Sequence, residues 1–224
     1  PVMRSEDLRG RLRDLLSVYV IVNAKTPLEL VEWLLDAGVG TIQLREKHLP
    51  PKEQVPVARD LQALCQKKGA LFVVNDFVDV ALEAGADGVH VGQQDEAATS
   101  ARLRLGPHKI IGVSAGLPEW AAEAEADGAD YIGAGPVYAT QSKATRPPEG
   151  PELIKRVKQV TSLPIVGIAG IGPGKAAPVI EAGADGVAVI SAVLDAPDPV
   201  GVAKRLLEEV ARAKRERSTA LAEG

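Results

Sequence analysis

Short apolar runs alternate with longer mixed stretches along the whole chain, and four segments share one pattern. They read DAGVGTIQLRE from Asp36, EAGADGVHVGQ from Glu83, ADGADYIGAGP from Ala126 and EAGADGVAVIS from Glu181. Each is a helix end, a glycine, a small turn and then a short apolar run, recurring at intervals of about 50 residues. A glycine after a helix supplies a left-handed cap, and a bounded apolar run after it reads as a strand. Between the copies there is room for one more strand each: Leu71–Asn75, Ile110–Ser114 and Pro164–Ile168, with Val18–Asn23 ahead of the first copy. Helices are predicted over Pro27–Ala37, Pro51–Lys68, Phe77–Ala84, Glu96–Leu105, Pro118–Asp127, Pro151–Gln159, Gly174–Ala182 and Pro199–Arg212.

The result is a strand–helix unit eight times over. Nearly continuous apolar strands imply burial on both faces and hence a parallel sheet. Eight of them with intervening helices close into a (β/α)8 TIM barrel; the competitor is a doubly wound open sheet, and the quarter-barrel repeat favours closure. No linker interrupts the alternation, so residues 1–224 are expected to form a single domain. The small, polar stretch from about Ala213 is expected to fray.

Composition sharpens this picture. Hydrophobic residues make up 46% of the 224 positions and aromatics only 3%, so aliphatic side chains must do the packing. The formal net charge of −4 shows no basic footprint, and nucleic acid is set aside as a partner. The lone Cys65 cannot form an internal disulfide; it is read as a small buried hydrophobe, consistent with a reducing cytoplasm. No run reaches the length of a membrane span and no secretory segment opens the chain, so no membrane partner is expected. Self-association into a homo-oligomer stays open.

Barrels of this kind carry their chemistry on the loops that follow the strands. After the second strand stand Gln43, Leu44, Arg45, Glu46 and Lys47. Strand alternation puts Gln43, Arg45 and Lys47 on one side and Ile42 and Leu44 on the other. The polar side is expected to face the barrel mouth, where two cations call for an anion; a solvated strand end with a local Arg–Glu pair is the plain alternative. Asn75 and Asp76 follow the third strand, and Asp95 closes GQQD after the fourth. Adjacent strand ends bring Asp76 and Asp95 together, and two carboxylates repel unless a cation lies between them, which points to Mg²⁺. Each could instead cap a helix.

Ser114 ends the fifth strand, placed either to bond a ligand oxygen or to cap the next helix. The longest connection, Gly135 to Gly150, offers Thr140, Ser142 and Lys143 and is expected to move as a lid. GIAGIGPG after the seventh strand and VISAV after the eighth fit a phosphate site built from backbone N–H groups and a helix N-terminus. His90 is read as a packed or hydrogen-bonded core residue, and His48 and His108 as facing solvent. No zinc spacing or Ser-His-Asp arrangement is evident.

Taken together, QLREK, ND after the third strand, GADGVHVGQQD, GVS, GADYIGAGPVYATQSK, PIVGIAGI and GADGVAVISAV resemble the thiamine phosphate synthases, over about Tyr19 to Ala192. The resemblance implies an enzyme that joins a hydroxymethylpyrimidine diphosphate to a thiazole phosphate and releases pyrophosphate. It implies that Gln43, Leu44, Arg45, Glu46, Lys47 and Asn75 hold the pyrimidine substrate and its diphosphate, and that Asp76 and Asp95 bind Mg²⁺. Ser114 and Lys143 would touch the diphosphate. Thr140, Gln141 and Ser142 would contact the thiazole, and Gly170, Ile190 and Ser191 would seat its phosphate. Arg45, Lys143 and Ser114 are the residues expected to carry catalysis.

The chain departs from the family's pattern in three places. Ala115-Gly116 stand where a histidine often follows the serine, Ser142 replaces a threonine, and Asn23 replaces an aspartate at the end of the first strand. The related thiazole tautomerases tend to lack the carboxylates and use that histidine; this chain has Asp76 and Asp95 and no such histidine. A Schiff-base barrel using Lys143 and a phosphate-binding barrel without turnover are the other rivals.

Overall fold

The computed structural model of the chain describes residues 2–141 and 146–223. Eight parallel strands close into one barrel in sequence order: β1 (Val18–Val22), β2 (Thr41–Leu44), β3 (Leu71–Asn75), β4 (Gly88–Val91), β5 (Ile110–Ser114), β6 (Tyr131–Ala134), β7 (Ile165–Ile168) and β8 (Gly186–Val189). β8 pairs with β1 to complete the ring, matching Val18 with Val187 and Val20 with Val189. Two helices precede the barrel, α1 (Val2–Gly10) and α2 (Leu12–Leu15). The crossover helices are α3 (Leu28–Ala37), α4 (Pro51–Lys68), α5 (Val78–Ala84), α6 (Ala98–Leu105), α7 (Pro118–Ala126), α8 (Pro151–Lys158) and α9 (Ala176–Glu181). A short α10 (Ser191–Leu194) follows β8, and α11 (Pro199–Glu223) ends the fold. In all four copies of the sequence repeat the glycine after the helix is left-handed: Gly38, Gly85, Gly128 and Gly183.

Strand alternation divides the core in two. Val18, Val20 and Val22 of β1, Ile42 and Leu44 of β2, and Phe72 and Val74 of β3 pack outward against the helices. Tyr19, Ile21, Leu71, Val73, Ile110, Tyr131, Val166 and Ala188 fill the barrel, joined by Leu8, Leu12, Leu15 and Leu16 from the N-terminal segment. Cys65 lies in the outer layer, fully buried, and burial pushes its thiol up, as befits an inert core position.

The N-terminal segment closes the bottom of the barrel through the sequence repeat itself. Three of the four copies carry an aspartate just before an even-numbered strand: Asp87, Asp130 and Asp185. Each is buried and accepts a backbone N–H, from Phe72, Ile111 and Ile165 respectively. Each also pairs with an arginine of the N-terminal segment: Arg4 with Asp87, Arg9 with Asp130 and Arg13 with Asp185. The fourth copy has Gly40 at that place, and there the Thr41 hydroxyl donates to the Leu15 carbonyl at 2.7 Å instead. With its bottom sealed by these contacts, the barrel opens at the C-terminal ends of its strands.

The chain does not fray from Ala213. α11 continues to Glu223 because its second half has partners. Arg217 donates to the Ile180 and Ala184 carbonyls at the end of α9, and Lys214 reaches the Ser17 hydroxyl and the Arg13 carbonyl. No helix among the described residues is long and apolar enough to cross a membrane.

Asp130 also binds Arg102 at 2.7 Å, so it anchors three donors in a buried place. Asp130→Ala is expected to cost about 3 kcal/mol by leaving the Ile111 N–H and two guanidinium groups without their acceptor. Urea unfolding measures that loss. Steady-state turnover at low temperature is expected to stay unchanged, because the aspartate lies at the closed end.

Candidate active site

The open end of the barrel holds a cavity of about 770 Å³. Gln43, Arg45, Asn75, Ser114, Thr140, Gln141, Gly170, Ile190 and Ser191 all line it, so most of the expected site residues converge. Leu44, Glu46, Lys47, Asp76 and Asp95 are not among its lining residues. Leu44 is buried in the outer core. Glu46 is buried and accepts the N–H groups of Ala24, His48 and Leu49, which hold its carboxyl below the usual range. It ties together the loops after β1 and β2, and strand alternation explains why these two side chains turn away. Ser142 and Lys143 lie outside the described residues.

A buried polar chain crosses the barrel beneath the cavity. The Gln43 amide donates to the Tyr19 hydroxyl at 2.6 Å, and that oxygen is 2.8 Å from the Tyr131 hydroxyl. Tyr131 is 2.9 Å from His90 Nδ1, and His90 Nε2 is 2.8 Å from Ser114 Oγ. Gly112 makes this possible: a Cβ there would stand 2.1 Å from the Tyr131 ring. With Gln43 as donor, the arrangement that satisfies every member runs one way. Tyr19 donates to Tyr131, Tyr131 to Nδ1, and Nε2–H to Ser114, which leaves the serine proton for the cavity. Burial lowers His90 to about 4, so it stays neutral beneath the site, and burial raises both phenols. His90 is thus hydrogen-bonded in the core as expected and is also part of the cavity wall. In the sequence Tyr19 and Tyr131 read only as apolar strand residues, so nothing there marks them as members of this chain.

Above β3 and β4 stand the carboxylates. Asp76 and Asp95 lie against each other; burial first, and then the Asp76 carboxyl, push Asp95 up. Lys47 Nζ is 3.0 Å from Asp76 Oδ2. Neither aspartate caps a helix. α5 begins after Phe77 and α6 after Ala97, both without a side-chain cap, and Asp95 instead accepts the Gly92 N–H at 2.7 Å. Asp76 has φ 68°, a left-handed conformation uncommon for a side-chain-bearing residue and concentrated at functional sites.

Across the barrel, the loops after β7 and β8 form the opposite wall. Gly170 has φ 65°, and a Cβ there would stand 2.4 Å from the Ala139 carbonyl, so the loop after β6 rests directly on it. Val137 and Tyr138 donate backbone bonds to Ile168 and Ala169, fastening the base of that long loop. Two helices start on this wall, and the N-terminus of α9 is already filled: the buried Glu209 carboxylate accepts the N–H groups of Gly174, Ala176 and Ala177. The short α10 starts at Ser191 with no side-chain cap, and its first N–H groups have no intrahelical acceptor.

A sealed (β/α)8 barrel with paired carboxylates on one side of its mouth and a glycine-rich loop and helix start on the other defines an enzyme site for phosphorylated ligands. The family model for thiamine monophosphate synthase matches residues 18–193, and the chain belongs to that family. It is 49% identical over 203 residues to the thiamine-phosphate synthase of Moorella thermoacetica, covering 88% of this chain and 97% of that one. It is 53% identical over 206 residues to the thiamine biosynthesis bifunctional protein ThiM/ThiE of Symbiobacterium thermophilum, where the match covers 92% of this chain but only 43% of the longer protein. The thiamine phosphate pyrophosphorylase of Pyrococcus furiosus superposes with a TM-score of 0.82 at 38% identity, over 90% of this chain and 98% of that one.

The buried neutral histidine has a consequence for stability. Its folded pKa lies below the unfolded 6.5, so the unfolded chain binds more protons between pH 6.5 and about 4, and stability falls as pH drops through that window. The contribution is about 3 kcal/mol. Denaturant unfolding at pH 7 and pH 4 is expected to show the native chain losing about that much more stability than His90→Gln.

Proposed function

We propose that this chain joins 4-amino-2-methyl-5-(diphosphooxymethyl)pyrimidine to a thiazole phosphate, giving thiamine phosphate and pyrophosphate. The exocyclic C–O bond of the pyrimidine breaks first, and its electron pair leaves with the diphosphate. The aminopyrimidine ring spreads the resulting positive charge. The thiazole nitrogen then attacks the carbon, and since that nitrogen carries no proton, no general base is needed. Catalysis is positioning and charge neutralisation.

The supporting observation is that Asp76 and Asp95 touch beside Lys47, across the mouth from the backbone N–H groups of α10. Two carboxylates pressed together offer oxygen donors of the kind that suits Mg²⁺, and diphosphate oxygens and water would complete the set. When bound there, Mg²⁺ would help neutralise the leaving diphosphate. Arg45, Lys47 and Lys143 would hold the diphosphate, with Ser114 donating its hydroxyl proton to it. The pyrimidine would lie over the polar floor with Gln43 and Asn75 at its edge. Thr140, Gln141 and Ser142 would contact the thiazole, and Gly170, Ile190 and Ser191 would seat its phosphate. The lone buried cysteine suits a cytoplasmic setting. The carboxylate pair also weighs against a tautomerase, which needs no diphosphate and no divalent cation.

Pyrophosphate release measures the proposal. Both substrates with Mg²⁺ are expected to give thiamine phosphate and pyrophosphate in equal amounts, and EDTA to stop the reaction. No release with either the carboxylated thiazole phosphate or the simpler one would sink it. Asp76→Asn is expected to lower kcat/KM by on the order of 100-fold. Its Tm should move by no more than about 3 °C, because the lysine of the ion pair it loses is half exposed. Full activity in that variant would remove the metal role.

A further inference from the structure

Lys175 lies just before α9 and lines the cavity on the side of the β7 and β8 loops. Its ammonium stands over the Tyr138 ring, 5.3 Å from the centroid, and its carbonyl accepts the Tyr138 hydroxyl at 3.2 Å. Tyr138 in turn packs where Gly170 leaves room, since a Cβ on Gly170 would be 2.8 Å from the Tyr138 Cβ. The tyrosine therefore links the lysine head to the wall that holds Gly170, and Gly170 and Lys175 line the same cavity. A stacked cation of this kind keeps its charge available to an anion, because the ring face takes none of its hydrogens in an ion pair.

The local charge balance gives that cation work. Glu209 fills the N-terminus of α9 with three backbone bonds, so the longer helix offers a phosphate nothing and places a buried negative charge behind the loop. Asp195 adds another carboxylate to the same wall. A dianionic phosphate seated at Gly170 and Ser191 would meet two negative groups and backbone N–H groups alone. Among the described residues lining the cavity, the cations are Arg45, on the β2 side, and Lys175.

We infer that Lys175 is a specificity-determining residue for the acceptor: it neutralises the thiazole phosphate and sets the preference for a phosphorylated acceptor over the free alcohol. The inference rests on the proposed function. Lys175 is a binding residue and takes no part in bond making or breaking.

The test uses the whole chain with 4-methyl-5-(2-phosphoethyl)thiazole and, as control, its unphosphorylated alcohol. Lys175→Gln is expected to raise KM for the phosphate about tenfold, with kcat and the KM of the pyrimidine diphosphate within about twofold of wild type. The preference for phosphate over alcohol should fall by the same factor, and Lys175→Arg should restore it to within about threefold. Calorimetry with the thiazole phosphate reads binding without turnover: about tenfold weaker binding by Lys175→Gln supports the inference, and equal binding overturns it. If wild type releases no pyrophosphate yet its phosphate binding depends on Lys175, the functional reading fails and this inference stands. A wild type that neither binds the thiazole phosphate nor releases pyrophosphate with it overturns both.

Discussion

Side chains on a barrel strand point alternately inward and outward, and a closed ring of eight strands has room inside for only half of them. That constraint organises the molecule. The outward half of each strand is aliphatic and packs under the helices. The inward half is apolar low in the barrel, where the N-terminal leucines meet it, and polar toward the open end, where Gln43, Asn75, His90 and Ser114 stand. A polar group placed inside a packed barrel must find a partner or a ligand. The lower members of the polar layer find each other in the chain from Gln43 to Ser114. The upper ones face the cavity.

The two ends of the barrel deal with charge differently. At the closed end the buried carboxylates of Asp87, Asp130 and Asp185 each receive an arginine and a backbone N–H, so their charge is compensated within the fold. At the open end the Asp76–Asp95 pair has one lysine for two carboxylates, and Asp95 is pushed toward its protonated form. Charge at the open end is thus compensated less fully than at the closed end, and it sits beside a left-handed backbone at Asp76, a conformation that clusters at functional sites. The neutral His90 completes the contrast. It keeps positive charge off the floor where the proposed reaction would develop a cation, while still fixing the direction of the Ser114 hydroxyl.

Several readings were open in the sequence because each residue type had an ordinary alternative. Asp76 and Asp95 could each have capped a helix; the helices start too late for that, at Val78 and Ala98. Glu46 sits within a run of polar site residues but serves the backbone of two loops. Glu209, far along the last helix, gave no sign in the sequence of occupying the N-terminus of α9. Tyr19 and Tyr131 are one residue each in apolar strands, and only their meeting across the barrel makes them polar-network members.

The linear chain determined what depends on neighbours a few positions apart. Repeating helix-glycine-strand units, continuous apolar runs and helix ends are local, and they fixed eight strands, their parallel order and the loops that carry polar residues. Tertiary structure decided whatever depends on distance between residues far apart in sequence. The arginine–aspartate clasp, the polar chain across the barrel, the filling of α9 by Glu209 and the persistence of α11 to Glu223 all pair groups from 24 to 201 positions apart. Hydrogen bonds and ion pairs act over a few ångströms, so the residues that satisfy each other become known only once the barrel has closed.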